Sequence, residues 1–346
     1  MDKDYLKLMT KSIYITGVGG LLGSNAAKKF LKEGFRVGGC DNLIGGLIDN
    51  VPAGVEYNNI DILDFPSLKK SMKGYHYVFH AAALPYEGLS VFSPGIVVNN
   101  IVGGTTNVAS ACIANDVQFM VNCSSMARYG RQTPPFTEDM PRAPVDPYGL
   151  AKAQAEEQLE LLNKLHGFRY ATVVPHNVIG VGQRYMDPFR NVVGIMINRA
   201  LQDKEIVIYG DGSQKRSFSD IHDCIDAVYK IMTSARDLTG QVFNIGPDDN
   251  EVSIKELADI VYEHTDSPHT GYYEYYPDRP AEVKNAWCSS IKIKREFNYN
   301  TTKTLEQTIN DMVWWVKERG TKPFEYHLEL EFVKDNTPKT WTEQKI

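Results

Sequence analysis

A chain of 346 residues with 43 acidic against 37 basic side chains, a net charge of −6, is long enough for two domains or one large one around a substantial core. No block of like charges stands out, which argues against nucleic acid or a polybasic membrane surface as partner, and no apolar run reaches the roughly 18 residues of a membrane span. The five cysteines, Cys40, Cys112, Cys123, Cys224 and Cys288, are scattered and never form a CxxC pair. They read as reduced thiols of a cytoplasmic protein, with no metal site expected. Residues 1–10 lack the apolar core of a signal peptide and read as a short polar leader, with Met9 as an alternative start.

Ser12-Ile13-Tyr14-Ile15-Thr16 reads as a buried strand. Gly17-Val18-Gly19-Gly20-Leu21-Leu22-Gly23 follows at once, and Leu22, Ala26, Ala27, Phe30 and Leu31 mark one helix face. Glycines at 17, 20 and 23 between a strand and a helix are what a dinucleotide-binding turn requires. Gly17 permits the tight turn, Gly20 lets the backbone approach a pyrophosphate, and Gly23 lets the helix lie close to the sheet, with the helix N-terminus facing the anion. The next strand, 35–40, ends at Asp41, eighteen residues past Gly23. A carboxylate there accepts from both ribose hydroxyls and repels a 2′-phosphate, which reads as NAD rather than NADP.

A weaker strand over 55–60 and a helix over 66–73 come next. Tyr77-Val78-Phe79-His80 is a strand running into Ala81-Ala82-Ala83, small enough for a cofactor to lie against the backbone. A helix spans 94–114. The strand 119–123 delivers Ser124 and Ser125 at its C-terminal end, where parallel sheets bind ligands. Pro147-Tyr148-Gly149-Leu150-Ala151-Lys152 then opens a helix to about 165. Tyr148 and Lys152, four apart, share one face of it. A phenol titrates near ~10; an ammonium beside it favours the phenolate and makes Tyr148 a usable base. Tyr-Lys pairs at this spacing also occur by chance, so the flanking motifs carry the reading. A strand over 170–174 follows, then a loop over 175–180, a helix over 188–201, a strand over 205–209 and a helix over 222–232. Beyond these come a strand over 242–245 and helices over 254–262 and 305–316. Strands alternating with helices give an α/β class, a Rossmann doubly wound parallel sheet with a smaller α/β substrate-binding domain. The expected division is 1–174 with 217–246 returning to it, 175–216 with 247–330, and an unassigned tail over 331–346.

In order along about 12–320, these motifs resemble the extended short-chain dehydrogenase/reductases, in their nucleotide-sugar epimerase branch. The shared pieces are Thr16-Gly17 to Gly23, Asp41-Asn42-Leu43, Asp61-Ile62, His80 to Ala83, Ser124-Ser125 with Tyr129-Gly130, and Pro147-Tyr148-Gly149 with Lys152. Further on come His176-Asn177-Val178, Tyr209-Gly210-Asp211-Gly212 with Arg216, and Arg279-Pro280. The resemblance implies NAD held by Gly17, Gly20, Leu21, Leu22, Gly23, Asp41, Asn42, Asp61, Ile62, Ala81, Ala82, Ala83, Asn100, Tyr148 and Lys152. The doubled Gly103-Gly104 departs from the family pattern and leaves Asn99 as a rival to Asn100. It implies Ser125, Tyr148 and Lys152 as the catalytic group, with Ser124, Asn177, Arg216 and Arg279 also holding a nucleotide-diphosphate sugar. By the same analogy the protein is a homodimer through the helices 94–114 and 148–165.

Family dehydratases and decarboxylases place Asp or Glu just after the catalytic hydroxyl, and double epimerase-reductases a Cys; here those positions hold Met126 and Ala127. Neither moves a proton, so redox at one carbon is expected: a C4 epimerase of the UDP-glucose/UDP-galactose type, through a 4-keto sugar. The alternatives are a net C4 dehydrogenase or ketoreductase and, from another class, a nucleotide sensor, although sensors of this fold usually lose the Tyr or the Lys. Whether His176 touches substrate is not legible.

Overall fold

Five consecutive residues with no outward face form the inner strand β1, Ser12–Thr16, buried along its whole length. This computed structural model describes residues 11–346, and the leader read over 1–10 lies outside the described residues. β1 turns into helix α1, Leu21–Lys32, whose Ala26, Ala27 and Phe30 are buried. Strands β2 (Arg36–Cys40), β3 (Glu56–Asn58), β4 (Tyr77–His80), β5 (Phe119–Cys123), β6 (Tyr170–Pro175) and, from much later in the chain, β11 (Gln241–Ile245) complete one sheet. Its order is β3-β2-β1-β4-β5-β6-β11, with every pair parallel.

Helices cover both faces. On one side α1 meets α7 (Ile221–Met232) through Phe30, Ile225 and Val228. On the other, α2 (Phe65–Ser71), α4 (Pro94–Ala114) and α5 (Pro147–His166) bury Leu68, Val108, Cys112 and Leu159. Between α2 and α4 stands a one-turn helix, α3, Glu87–Ser90.

A second core gathers Val193 and Ile197 of α6 (Val192–Ala200), Ile208 of β8 (Ile206–Tyr209), Leu257 and Val261 of α8 (Ile254–Thr265), and Ile309 and Val313 of α10 (Leu305–Arg319). Beside it β9 (Lys215–Arg216) lies between β12 (Val252–Ser253) and β14 (Asn285–Ala286). Short β7 (Val178–Ile179) pairs with β10 (Ser219–Asp220).

Several elements depart from the sequence reading. The helix expected over 188–201 starts only at Val192, because Asn191 caps it by accepting the Val193 N–H. Strand β13, Tyr273–Tyr276, pairs in parallel with β8, and helix α9 covers Ile291–Phe297; neither was expected. α4 contains a π-helical segment at Asn99–Gly103, the widening produced by one extra residue in a helix. The tail, unassigned from sequence, is built into the fold. Glu331 accepts the Gly95 and Ile96 N–H groups at the N-terminus of α4, at 3.0 and 2.7 Å. It ends in helix α11, Lys339–Thr342, with Trp341 buried against Phe92 and Phe189.

Candidate active site

The cofactor end lies where the strand order reverses. Thr16 is opposite His80, so the Gly17 turn and Ala81 to Ala83 leave adjacent strands side by side. Gly17 has φ +71°, and a Cβ there would lie 2.8 Å from the Ala82 backbone; at Gly23 it would lie 2.0 Å from the Gly17 carbonyl oxygen. Side chains are excluded at both. α1 starts at Gly20 with no side-chain cap, and Leu21, Leu22 and Gly23 line the cavity, so uncapped N–H groups stand ready for an anion. This cradle fits a dinucleotide pyrophosphate.

Asp41 lines the same cavity, with Oδ2 accepting the Gly19 N–H at 2.9 Å and Oδ1 the Leu43 N–H at 2.7 Å. Burial pushes its carboxyl above the usual range, against the pull of those amides and Arg190. Asp41→Ala is expected to weaken NAD by about 1–3 kcal/mol and to raise NADP relative to NAD. Titration of both cofactors against both proteins checks this, and an unchanged preference removes Asp41 from the ribose site. Asn42, Ile62 and Ala81 to Ala83 also line the cavity. Asp61 is not among its lining residues; its carboxylate accepts from the Asn42 amide at 2.8 Å and caps Leu63. Of the two rival asparagines, Asn100 is buried, lines the cavity and accepts the Leu84 N–H at 2.8 Å, while Asn99 is exposed. The π segment that shifts the register spans both.

β5 and α5 bring Ser125, Tyr148 and Lys152 to one wall of this cavity of about 410 Å³. Asp146 caps α5 through the Gly149 N–H at 2.8 Å, Pro147 opens it, and Ser90 accepts the Tyr148 N–H at 3.1 Å. The electrostatics differ from the sequence expectation. Burial pushes the Tyr148 phenol up, the facing Ser125 hydroxyl pulls it down, and Cys123, Glu87 and Asp146 push it further up. Lys152 donates to the Cys123 carbonyl at 2.8 Å, and burial lowers its own pKa. The ammonium is thus engaged by the strand end, and burial opposes the phenolate that the Tyr-Lys spacing alone would favour.

Ser124 lines the cavity beside Ser125, and its hydroxyl donates to Glu156, one turn beyond Lys152. Glu156 is 2% exposed, and a carboxylate so buried requires compensation; Arg142 donates to it at 3.1 Å and the Arg128 guanidinium forms an ion pair with it at 2.9 Å. Asn177, Arg216 and Arg279 line the far end. The Asn177 amide donates to the Ser217 carbonyl at 2.9 Å, and both arginines donate to Glu282, at 2.8 and 2.6 Å. Against the burial that raises it, Arg279 and Arg216 hold the Glu282 carboxyl below its usual range. His176 is fully buried and is not among the lining residues; burial lowers its pKa to about 3.

Sequence reading missed the Gly45-Gly46 loop and the arginines that pin it. Arg184 donates to the Ile44 carbonyl at 2.8 Å and Arg190 to the Gly45 carbonyl at 2.9 Å. It also missed Glu87, Trp341 and Ile346 on the cavity wall. Paired glycines after Asp41 could have flagged the loop; nothing local flags the other three.

A glycine cradle at the switch point of a parallel sheet, with Ser125, Tyr148 and Lys152 across one cavity, defines an extended short-chain dehydrogenase/reductase. The model of the NAD dependent epimerase/dehydratase family matches residues 13–246, and the chain belongs to that family. A putative UDP-glucose 4-epimerase of Methanocaldococcus jannaschii is 31% identical over 313 residues, 89% of this chain and 99% of that protein. A UDP-N-acetyl-alpha-D-glucosaminuronate decarboxylase of Bacillus cytotoxicus is 28% identical over 331 residues, 90% of this chain and 99% of that protein. Among solved structures, UDP-glucose 4-epimerase of Thermotoga maritima with UDP-glucose has a TM-score of 0.82 at 26% identity, covering 89% of this chain and 99% of that one.

Proposed function

We propose that the protein is an NAD-dependent 4-epimerase of a nucleotide-diphosphate hexose, of the UDP-glucose/UDP-galactose type. One observation carries this reading. Ser125 and Tyr148 share a wall of the cavity, and the residues directly after Ser125 are Met126 and Ala127, neither able to transfer a proton. Bound NAD supplies the exchange of a hydride at C4. The chain's own residues do the rest. Tyr148 takes the proton of the C4 hydroxyl, Ser125 holds that hydroxyl, and Lys152 holds the ribose and offsets charge developing on the phenol. Arg216 and Arg279 exchange part of their bonding to Glu282 for the diphosphate, which suits their forked donors. The 4-keto sugar would then turn, take the hydride back on its other face and recover its hydroxyl proton from Tyr148, leaving cofactor and phenol as they began.

We read the active form as a homodimer. In support, α5 turns Leu150, Leu161 and Leu165 outward at 48%, 50% and 65% exposure. α4 beside it is apolar and long enough to pass for a membrane span, yet its most apolar stretch is half buried within the fold. Paired copies would cover both faces.

The test uses UDP-hexoses labelled with deuterium at C4, without added NAD. Conversion to the C4 epimer with the label retained, no change in mass and no build-up of reduced nicotinamide is the expected result. Stoichiometric reduced cofactor would establish a net dehydrogenase. Loss of water from the sugar, or of carbon dioxide from UDP-glucuronate assayed alongside, would establish a lyase.

A further inference from the structure

The cavity holds a carboxylate that no protein group engages. Glu87 opens α3, the turn whose Ser90 takes the Tyr148 N–H, so it stands beside the Tyr148 end of the cavity. It lines that cavity, and its side chain is exposed there. Among the described residues its carboxylate has neither a hydrogen bond nor an ion pair. Its charged neighbours come from several elements: Asp146 before α5, Arg216 on β9, and Arg279 and Glu282 from the loop before β14. Enclosure by the cavity walls, then Asp146 and Glu282, push the Glu87 carboxyl up to about 7, against the two arginines. Those arginines are engaged by Glu282, while Arg184 and Arg190, elsewhere on the wall, are engaged by Glu325 and Asp187. A sugar brought here therefore meets an acceptor without a donor and finds its nearest cations already paired.

The inference rests on the reading above, in which C4 lies at Tyr148 and the diphosphate at Arg216 and Arg279. Glu87, close to Tyr148 and to both arginines, then flanks the hexose. We propose that Glu87 sets the substrate class: it accepts hydrogen bonds from hydroxyl or amino groups of a neutral or amino hexose, and it turns away a hexuronate. The similar proteins leave this point open, since one carries glucose in its name and another a uronate. The physical ground is the juxtaposition of like charges, which holds above about pH 7, where Glu87 is ionised, so the titrations are run at about pH 8. A uronate carboxylate beside Glu87 is repelled and unpaired, whereas a hydroxyl or an amine satisfies a carboxylate that otherwise keeps its water.

The experiment titrates the full chain, loaded with NAD, with UDP, UDP-glucose and UDP-glucuronate by calorimetry, for the wild type and for Glu87→Gln and Glu87→Ala. UDP serves as the reference ligand without a hexose, so any effect of Glu87 on the diphosphate through Arg216 and Arg279 is read separately. UDP-glucose should bind the wild type at least about tenfold more tightly than UDP-glucuronate, and both variants should close most of that gap. Near-equal binding of the two sugars by the wild type, or a gap that survives both variants, overturns the proposal and leaves the nucleotide-sugar reading standing. Unchanged discrimination with a kcat on UDP-glucose lowered by orders of magnitude in Glu87→Gln makes Glu87 a proton-transfer group and also overturns it. Failure of UDP and of other nucleoside diphosphates to bind overturns both readings.

Discussion

Tyr148→Phe is expected to lower kcat by about 10²- to 10⁴-fold while leaving the fold and NAD binding intact. The substitution removes one oxygen from a ring that is 7% exposed, and the start of α5 is held by groups it does not touch: Asp146, Pro147 and the Ser90 hydroxyl. What is lost, in the proposed reaction, is the atom that exchanges a proton with the sugar hydroxyl. The phenol lies above its ordinary range through burial first, and the cations nearest it are partly committed elsewhere, Lys152 to the Cys123 carbonyl. The base form therefore grows with pH, and kcat/KM of the wild type should climb toward the alkaline side. In the Phe variant the residual rate should lose that dependence. Turnover at the wild-type level would show that Tyr148 is not the base; a residual rate with the same pH profile would place the titrating group elsewhere.

Legibility followed sequence distance. The glycine turn could be read because strand, turn and helix are contiguous, and every clash that a Cβ at Gly17 or Gly23 would make involves the turn itself or the adjacent strand end. The Tyr148-Lys152 face could be read because four residues of helix need no tertiary information. Ser124 could not: its hydroxyl belongs to Glu156, 32 residues further on, and only the close approach of β5 and α5 joins them. Gly103-Gly104 was visible as a departure, but its meaning needed helix register. A Cβ at Gly104 would lie 2.3 Å from Ile62, so the helix presses on the cofactor wall there. Glu87 sits on a four-residue helix with no periodicity to betray it. Trp341 reaches the cavity from the tail, more than two hundred residues after the strands that build the cofactor end, and no pattern in the tail announces it. Residue types fixed what could be done locally; burial and partners decided which side chains were free to do it.

The same distinction gives the largest expected effect on stability. Glu156→Gln should cost about 3–5 kcal/mol of unfolding free energy, because it removes one charge of a buried pair and leaves the other uncompensated. Arg128 is 3% exposed and lies 2.9 Å from the Glu156 carboxylate, so water cannot substitute for it. Arg142 is less enclosed, at 21% side-chain exposure, and keeps Glu160 as a partner; it contributes less to the penalty. Glutamine also turns an amide N–H₂ toward donors, Ser124 or an arginine, that need an acceptor. Replacing both partners, as in Arg128→Met with Glu156→Leu, should be far milder than the single change, since no unpaired charge is left behind. Urea unfolding of the two variants and the wild type measures this. A single variant within about 1 kcal/mol of wild type, or a double variant at least as unstable as the single, would show the pair to be hydrated and not a buried support. Activity adds a second readout. The network anchors the end of β5 next to Ser125 and lies one helical turn from Lys152, so folded Glu156→Gln should turn over more slowly under conditions where it stays folded. NAD affinity should fall less than turnover, because the glycine cradle and Asp41 follow the ends of β1 and β2, outside the network, and only Lys152 of the NAD-holding residues lies near it.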